Sequence, residues 1–396
     1  MSIWLLSLLA CDAPTCDAGG HADAEGGCVA DTGNAAPGDT GDSDTPTDSG
    51  ETGHPPDTGD TGETPDTGEA ELEVLTFDVS AHVAATDTWY GLSAGIDGVV
   101  WAATSVGLLA LEPGTGAARS YGMGEGLAYS SARAVLAHTD GTLWVGYSGT
   151  DAQQGDHFGI DAGGNLSRIE IVDFTESTEI TQVHRMREQP YGAGVGDVWM
   201  GTNEGLCVHD ASLGVFAEHA HPDHPHLDAG GVTFTPDDHI WNGDEYQVSR
   251  WNYSDDGDLS PSADLVEFWT PWPVQAAVEP VEIVDADAIG EQVWLASKLY
   301  GIARIDVGAL AGTSVTELYA APATALAVRA QDGNTVFVGT ESGLWVLDVA
   351  TDTLVDKSAV APFDQPVSQL ARDTSGPWDA IWLALPGTLV RVTGVP

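Results

Sequence analysis

The chain is predicted to be all-β, a seven-bladed β-propeller of four-stranded blades. Three observations predict it. A short motif (apolar, aromatic, apolar, small) occurs seven times. Its aromatic residues lie 43, 55, 42, 53, 43 and 45 residues apart, the length of four short strands with their turns. Each copy follows an alternating run and a tight turn, such as Ala137-His138-Thr139-Asp140-Gly141, and Asp-Gly and Gly-Asn pairs supply the positive φ that hairpin turns need. No 3.6-residue period competes over any long stretch.

The copies run in order along the chain. They are Val100-Trp101-Ala102-Ala103, Leu143-Trp144-Val145-Gly146, Val198-Trp199-Met200-Gly201, Ile240-Trp241-Asn242-Gly243, Val293-Trp294-Leu295-Ala296, Val336-Phe337-Val338-Gly339 and Ile381-Trp382-Leu383-Ala384. A further strand follows each, such as Gly107-Leu108-Leu109-Ala110-Leu111 or Gly343-Leu344-Trp345-Val346-Leu347. The repeated aromatic is expected to pack between blades, and the small residue two places on to allow close sheet contact.

Val336 to Leu344, Val198 to Leu206 and Val100 to Leu108 resemble the repeat of the two-component regulator propeller family, in which an Asp-Gly turn precedes Leu-Trp-Val-Gly-Thr and then Gly-Leu. Blades two, four and seven depart from that pattern. The resemblance covers roughly residues 71–396 and implies the propeller fold. In that family such propellers often form the periplasmic sensor part of a histidine kinase. No kinase and no spanning helix is found here, so a signalling role does not carry over.

Blade seven shows strands near 366–372, 380–385 and 387–393 and is then one strand short. Residues 72–79 precede the first inner strand and are expected to supply the missing outer strand, which removes an exposed edge pair. That closure brings the preceding segment onto the face of third-to-fourth strand turns, and leaves the interblade face pointing away from it.

Residues 3–10 form a short apolar run, and Leu8-Leu9-Ala10-Cys11 resembles the lipobox of bacterial lipoproteins. The resemblance implies a signal peptide over 1–10, cleavage before Cys11 and acylation of that cysteine. Several acyl chains anchor stably where one is marginal. No Lys or Arg precedes the apolar run, which departs from the pattern. Residues 11–70 are rich in Asp, Thr and Gly. Residues 12–70 hold 15 acids and no base, and Asp-Thr-Gly recurs at 31–33, 57–59 and 66–68. Such composition buries too little apolar surface to offset chain entropy, so a disordered acidic tether is expected, reaching about 40–50 Å. Cys16 and Cys28 enclose a short loop and either pair or stay free, whereas Cys207, in an alternating apolar run, is expected to be a small buried hydrophobe.

A formal net charge of −49 repels phosphate backbones and anionic lipid, which excludes nucleic acid and leaves the lipid anchor as the membrane contact. No run approaches the 18 apolar residues of a membrane span. A monomer is expected.

Three irregular features fall on the interblade face, the usual ligand side of propellers. The first is the loop Glu218-His219-Ala220-His221-Pro222-Asp223-His224-Pro225-His226. Its imidazoles suit a divalent metal such as zinc or copper, with His219, His221, His224 and His226 as ligands, but its spacing matches no known finger, and a polar surface loop without metal is the alternative. The second is Phe268-Trp269-Thr270-Pro271-Trp272-Pro273, where Trp272 is expected to leave the strand and, with Trp269, to stack on a sugar or partner; both rings packing on the blade edge is the alternative. The third is an insertion over 147–164. His184-Arg185, on the inner strand of blade three, are placed to line the central channel, as ligand contacts or as polar filling.

Enzyme signatures are absent: there is no Gly-x-Ser-x-Gly elbow, no His-Glu-x-x-His and no phosphate loop. Streptogramin lyases share this general architecture and use His, Glu and magnesium, yet no residue-level match to them is found. The expected function is a lipid-anchored extracytoplasmic module at the cell envelope that binds a protein or glycan without catalysis. The alternative is a metal-dependent propeller lyase or hydrolase, with the His-rich loop over the central funnel.

Overall fold

The structure is a computed structural model that describes residues 20–22, 28–30, 72–148, 154–173, 180–192, 194–210, 215–220, 228–252, 265–273, 279–307, 315–319, 324–330, 334–373 and 380–393. The chain divides into two compact units, Met1–Asp66 and Thr67–Pro396. In the first, Gly20–Ala22 and Cys28–Ala30 pair in antiparallel register. Cys11, Cys16 and the rest of the expected tether lie outside the described residues.

The second unit holds seven antiparallel four-stranded sheets. Their first strands are Trp89–Ala94, Ala134–Ala137, Val183–Glu188, Gly231–Thr235, Ile283–Ile289, Ala327–Ala330 and Gln369–Asp373. Each touches the first strand of the next blade, and the last touches that of blade one, so the ring closes. Blade seven is completed as the sequence suggests. Glu73–Asp78 pairs with Thr388–Thr393 in antiparallel register, from Glu73 opposite Thr393 to Asp78 opposite Thr388. Phe77 brings its ring against Trp382, with centroids 5.6 Å apart. No helix among the described residues is long and apolar enough to cross a membrane.

The recurring motif is the second strand of every blade. Its seven aromatics are all buried, none more than 3% exposed. In blades three, four and seven the indole N–H donates to a polar side chain at or just after the end of the first strand: Gln189 at 2.8 Å, Thr235 at 3.0 Å and Asp373 at 3.1 Å. The small residue two places on faces the start of the next blade. A Cβ on Gly201 would stand 2.4 Å from the Ala229 carbonyl oxygen, one on Gly243 would stand 2.3 Å from the Ile283 side chain, and one on Gly339 would stand 2.5 Å from the Val367 carbonyl oxygen. Backbone bonds tie the same joints. The N–H groups of Val183, Ala229, Ile283 and Val367 donate to the carbonyls of Tyr147, Thr202, Asp244 and Thr340, at the end of the second strand of the blade before.

The Thr-x-x-Gly-Leu portion of the repeat also has a physical basis. In blades one, three and six the threonine hydroxyls of Thr104, Thr202 and Thr340 donate to the carbonyls of Gly107, Gly205 and Gly343 at 2.8–2.9 Å. Gly107 sits at φ 119° and Gly343 at φ 137°, and a Cβ on either would fall within 2.2 Å of a carbonyl oxygen. Blade four departs from the consensus and uses Asp244 instead, whose Oδ1 accepts the N–H groups of Tyr246 at 2.7 Å and Gln247 at 2.8 Å. Burial pushes the Asp244 carboxyl up to about 7.

Two expectations are corrected. Most of the supposed insertion at 147–164 is regular: Gln154–Ile160 is the third strand of blade two, paired with Leu143–Gly146 and Leu166–Asp173. Its alternation is masked because a charged residue, Asp156, points inward. Fully buried, Asp156 accepts the Tyr147 hydroxyl at 2.5 Å and pairs with Arg168 Nε at 2.8 Å. Trp272, expected to be an exposed stacking surface, is only 4% exposed and packs in the core with Trp241, Val281 and Ile283, its ring 6.3 Å from Tyr300. Cys207 is buried and free, as expected, and burial pushes its thiol pKa up.

Two outcomes are expected. Gly201→Ala should cost about 1–3 kcal/mol in urea unfolding, because backbone blocks the new methyl. Gly114→Ala, with no neighbour within 4 Å, should stay within about 0.5 kcal/mol of the parent. For Asp244 the folded pKa lies above the ordinary 3.8, so the folded protein holds this proton more tightly than the unfolded chain. The stability it supplies is full below about pH 4 and is lost as pH rises through about 7. Asp244→Asn, which cannot ionise, should remove that slope from a melting-temperature profile.

Candidate functional site

The leading residues of the first strands enclose a central funnel of about 540 Å³ at the interblade face. Every blade contributes to it, through Tyr90, Arg133, Arg185, Gly230, Val284, Leu326 and Gln369. Glu245 and Lys298, from the turns after the second strands of blades four and five, complete the rim. Arg133 lies over the Tyr90 ring, 4.4 Å from its centroid, a cation–π arrangement that fixes both groups on the wall. His184 Nε2 stands 3.5 Å from Asp228 Oδ1, and Lys298 stands 4.0 Å from Glu282.

Arg185 forms the floor. One Nη donates to the Tyr90 carbonyl at 2.7 Å and to Gln369 Oε1 at 2.8 Å, and the other donates to the Val284 carbonyl at 3.1 Å. A single guanidinium from blade three thus joins blades one, five and seven. Nε lies 3.4 Å from Asp285, which also meets Arg187 at 3.6 Å and Arg329 at 2.6 Å. Further along the axis Asp287 pairs with Arg372 at 3.1 Å. Burial alone would raise the Asp285 pKa, but the three guanidiniums hold it below the ordinary carboxylate range. Burial, joined by repulsion from Arg329, pushes Arg187 down to about 9. Arg185 is lowered for the same first reason, with Asp285 opposing.

The funnel therefore brings together His184 and Arg185 of the expected site residues. Trp272 is in the core. Trp269 ends the strand Leu265–Trp269, its backbone opposite Val248. His219 is on the strand Val215–Ala220, where the pairing with Gly205–Asp210 shifts register. The side chains of Trp269 and His219, and all of His221, His224 and His226, lie outside the described residues, as does the lipidation candidate Cys11. Among the described residues, no group of three or more His, Cys, Asp or Glu side chains is placed to hold a metal ion. Sequence reasoning missed Tyr90, Arg133, Lys298 and the axial set Asp285, Arg187, Arg329 and Arg372. The available signal was a charged residue inside an otherwise apolar inner strand, as in Ala327-Val328-Arg329-Ala330 and Leu370-Ala371-Arg372.

No family model and no curated protein sequence matches the chain. Solved structures share its fold. A streptogramin B lyase structure is similar over 81% of this chain and 97% of that one, with TM-score 0.59 and 14% identity. A catalytically inactive virginiamycin B lyase from Staphylococcus aureus, with quinupristin, matches over 82% and 99%, with TM-score 0.60 and 13% identity. A mitotic checkpoint complex structure matches over 88% and 98%, with TM-score 0.58 and 12% identity. At such identities the likeness shows the fold alone: the chain is a seven-bladed β-propeller.

Proposed function

We propose that the chain is a non-catalytic binding module of the cell envelope, anchored through acylated Cys11, that recognises a protein or glycan with its funnel. The observation that carries this is the convergence of all seven blades on one cavity whose wall presents an aromatic ring and a guanidinium side by side, Tyr90 and Arg133. Aromatic walls with a few placed polar groups are the usual make-up of a ligand pocket, and about 540 Å³ falls within the usual range. The repeat motif supports a propeller of the two-component regulator type, and Leu8-Leu9-Ala10-Cys11 supports export and lipidation.

A second proposal is a metal-dependent lyase or hydrolase, with zinc or copper held by His219, His221, His224 and His226. The observation favouring it is His184 beside Asp228, with Glu245 and Glu282 on the same funnel, a set of acid–base groups in one cavity. The binding module stands first because its wall residues are already assembled.

Thermal unfolding of the Cys11→Ser chain with oligosaccharides, and separately with zinc or copper, tests both. A bound sugar at a hundred times its Kd should add about 2.7 kcal/mol of stability. Tyr90→Ala should abolish that gain. A metal-induced gain that disappears in His221→Ala and His224→Ala would instead favour the enzyme. For the anchor, a labelled fatty acid should be incorporated by the parent chain and not by Cys11→Ser.

A further inference from the structure

In a chain of net charge −49, five of ten arginines gather around the propeller axis: Arg133, Arg185, Arg187, Arg329 and Arg372. Four of them, Arg185, Arg187, Arg329 and Arg372, face two carboxylates, Asp285 and Asp287. Uncompensated buried charge is costly, and a protein interior normally pairs it. Arg185 and Arg329 are 9% and 4% exposed. The buried Nη2 of Arg187 makes no hydrogen bond among the described residues. It stands 3.6 Å from Asp285 Oδ1 and Arg185 Nε stands 3.4 Å from the same oxygen, and among the described residues neither that Nε nor that oxygen makes a hydrogen bond.

These arginines border a small cavity of about 10 Å³ between blade three and blades one, two, six and seven. Its wall includes Arg185, Arg187, Arg329 and the Gln369 amide, and no carboxylate. Asp285 meets the same guanidiniums from blade five and does not line this space. The wall of the cavity therefore carries three guanidiniums and no carboxylate, with Asp285 2.6–3.6 Å from the same three groups. The cavity's size matches one water-sized particle and is too small for an oxyanion or an organic carboxylate.

We propose that this cavity binds a single small monovalent anion, chloride under ordinary conditions, held by Arg185, Arg187 and Arg329. The ion adds one negative charge to those of Asp285 and Asp287 against the four guanidiniums. It relieves the mutual repulsion that, together with burial, lowers the Arg185 and Arg187 pKa values. It also braces blades three and six across the axis. The site does not depend on which ligand the funnel takes.

The test is the melting temperature of the full-length chain at constant ionic strength, with gluconate replaced stepwise by chloride. A saturable rise with chloride, reproduced by bromide, is expected. Arg187→Gln should lose the rise, whereas Arg119→Gln, on the outer surface, should keep it. If Arg187→Gln does not fold, ³⁵Cl line broadening by the parent chain, reversed by bromide, reads the same site. Equal melting in chloride and gluconate together with an unbroadened ³⁵Cl line would overturn the proposal. So would a chloride response that survives Arg187→Gln.

Discussion

The ring depends on how near the first strand of one blade can come to the second strand of the blade before it. That distance is set by one small side chain per blade, the residue two places after the buried aromatic. At Gly146, Gly201, Gly243 and Gly339 a methyl would meet the next blade at 2.3–2.7 Å. The aromatic then fills the wider part of the wedge, and the joint is tied by a backbone bond from the following blade. Dispersion between closely packed atoms accumulates over these joints and gives the ring its rigidity.

Close joints have a consequence at the axis. Seven first strands are drawn into a narrow space, so their inward side chains share it. Gly91 and Ala134 line the small axial cavity beside Arg185, Arg187 and Arg329. Arg185 bonds to three other blades, so the floor of the funnel is also a cross-brace of the ring. A change made there for binding is felt by the fold, whereas the side chains of Arg133 and Tyr90, on the wall, are tied to each other and meet the brace only through the Tyr90 carbonyl and the charge of Arg133. The separation lets rim chemistry vary while the axis stays constant.

Much of the fold was legible because its determinants are local. The aromatic and the small residue mark the second strand, and the Thr-x-x-Gly-Leu step marks the turn after it. Closure by Glu73–Asp78 was legible from a strand deficit in blade seven. The third strand of blade two was not, because Asp156 interrupts its apolar face and finds its partners, Tyr147 and Arg168, in neighbouring strands. Of the two readings of Trp272, a stacking surface or a ring packed on the blade, burial beside Tyr300 fits the second. Only part of the site was visible. His184-Arg185 stand out as adjacent charges in an inner strand. Asp285, Arg329 and Arg372 carry the same mark one at a time, and only the circular arrangement of blades sets them side by side.

The seam in blade seven joins segments far apart in sequence: Thr393 bonds to Glu73 across 320 positions of chain. Blades one to six can form as local meanders of consecutive strands, but the ring has no closed state until the strand Thr388–Thr393 exists and finds Glu73–Asp78. Until then the growing chain carries an open strand edge at each end of an unfinished circle. Pairing so distant in sequence is slow, and exposed edges invite other chains. The unclosed form is therefore the state of this chain most open to pairing with others. A partner or chaperone that shields the Glu73–Asp78 strand during that interval would raise yield without adding a contact to the finished molecule.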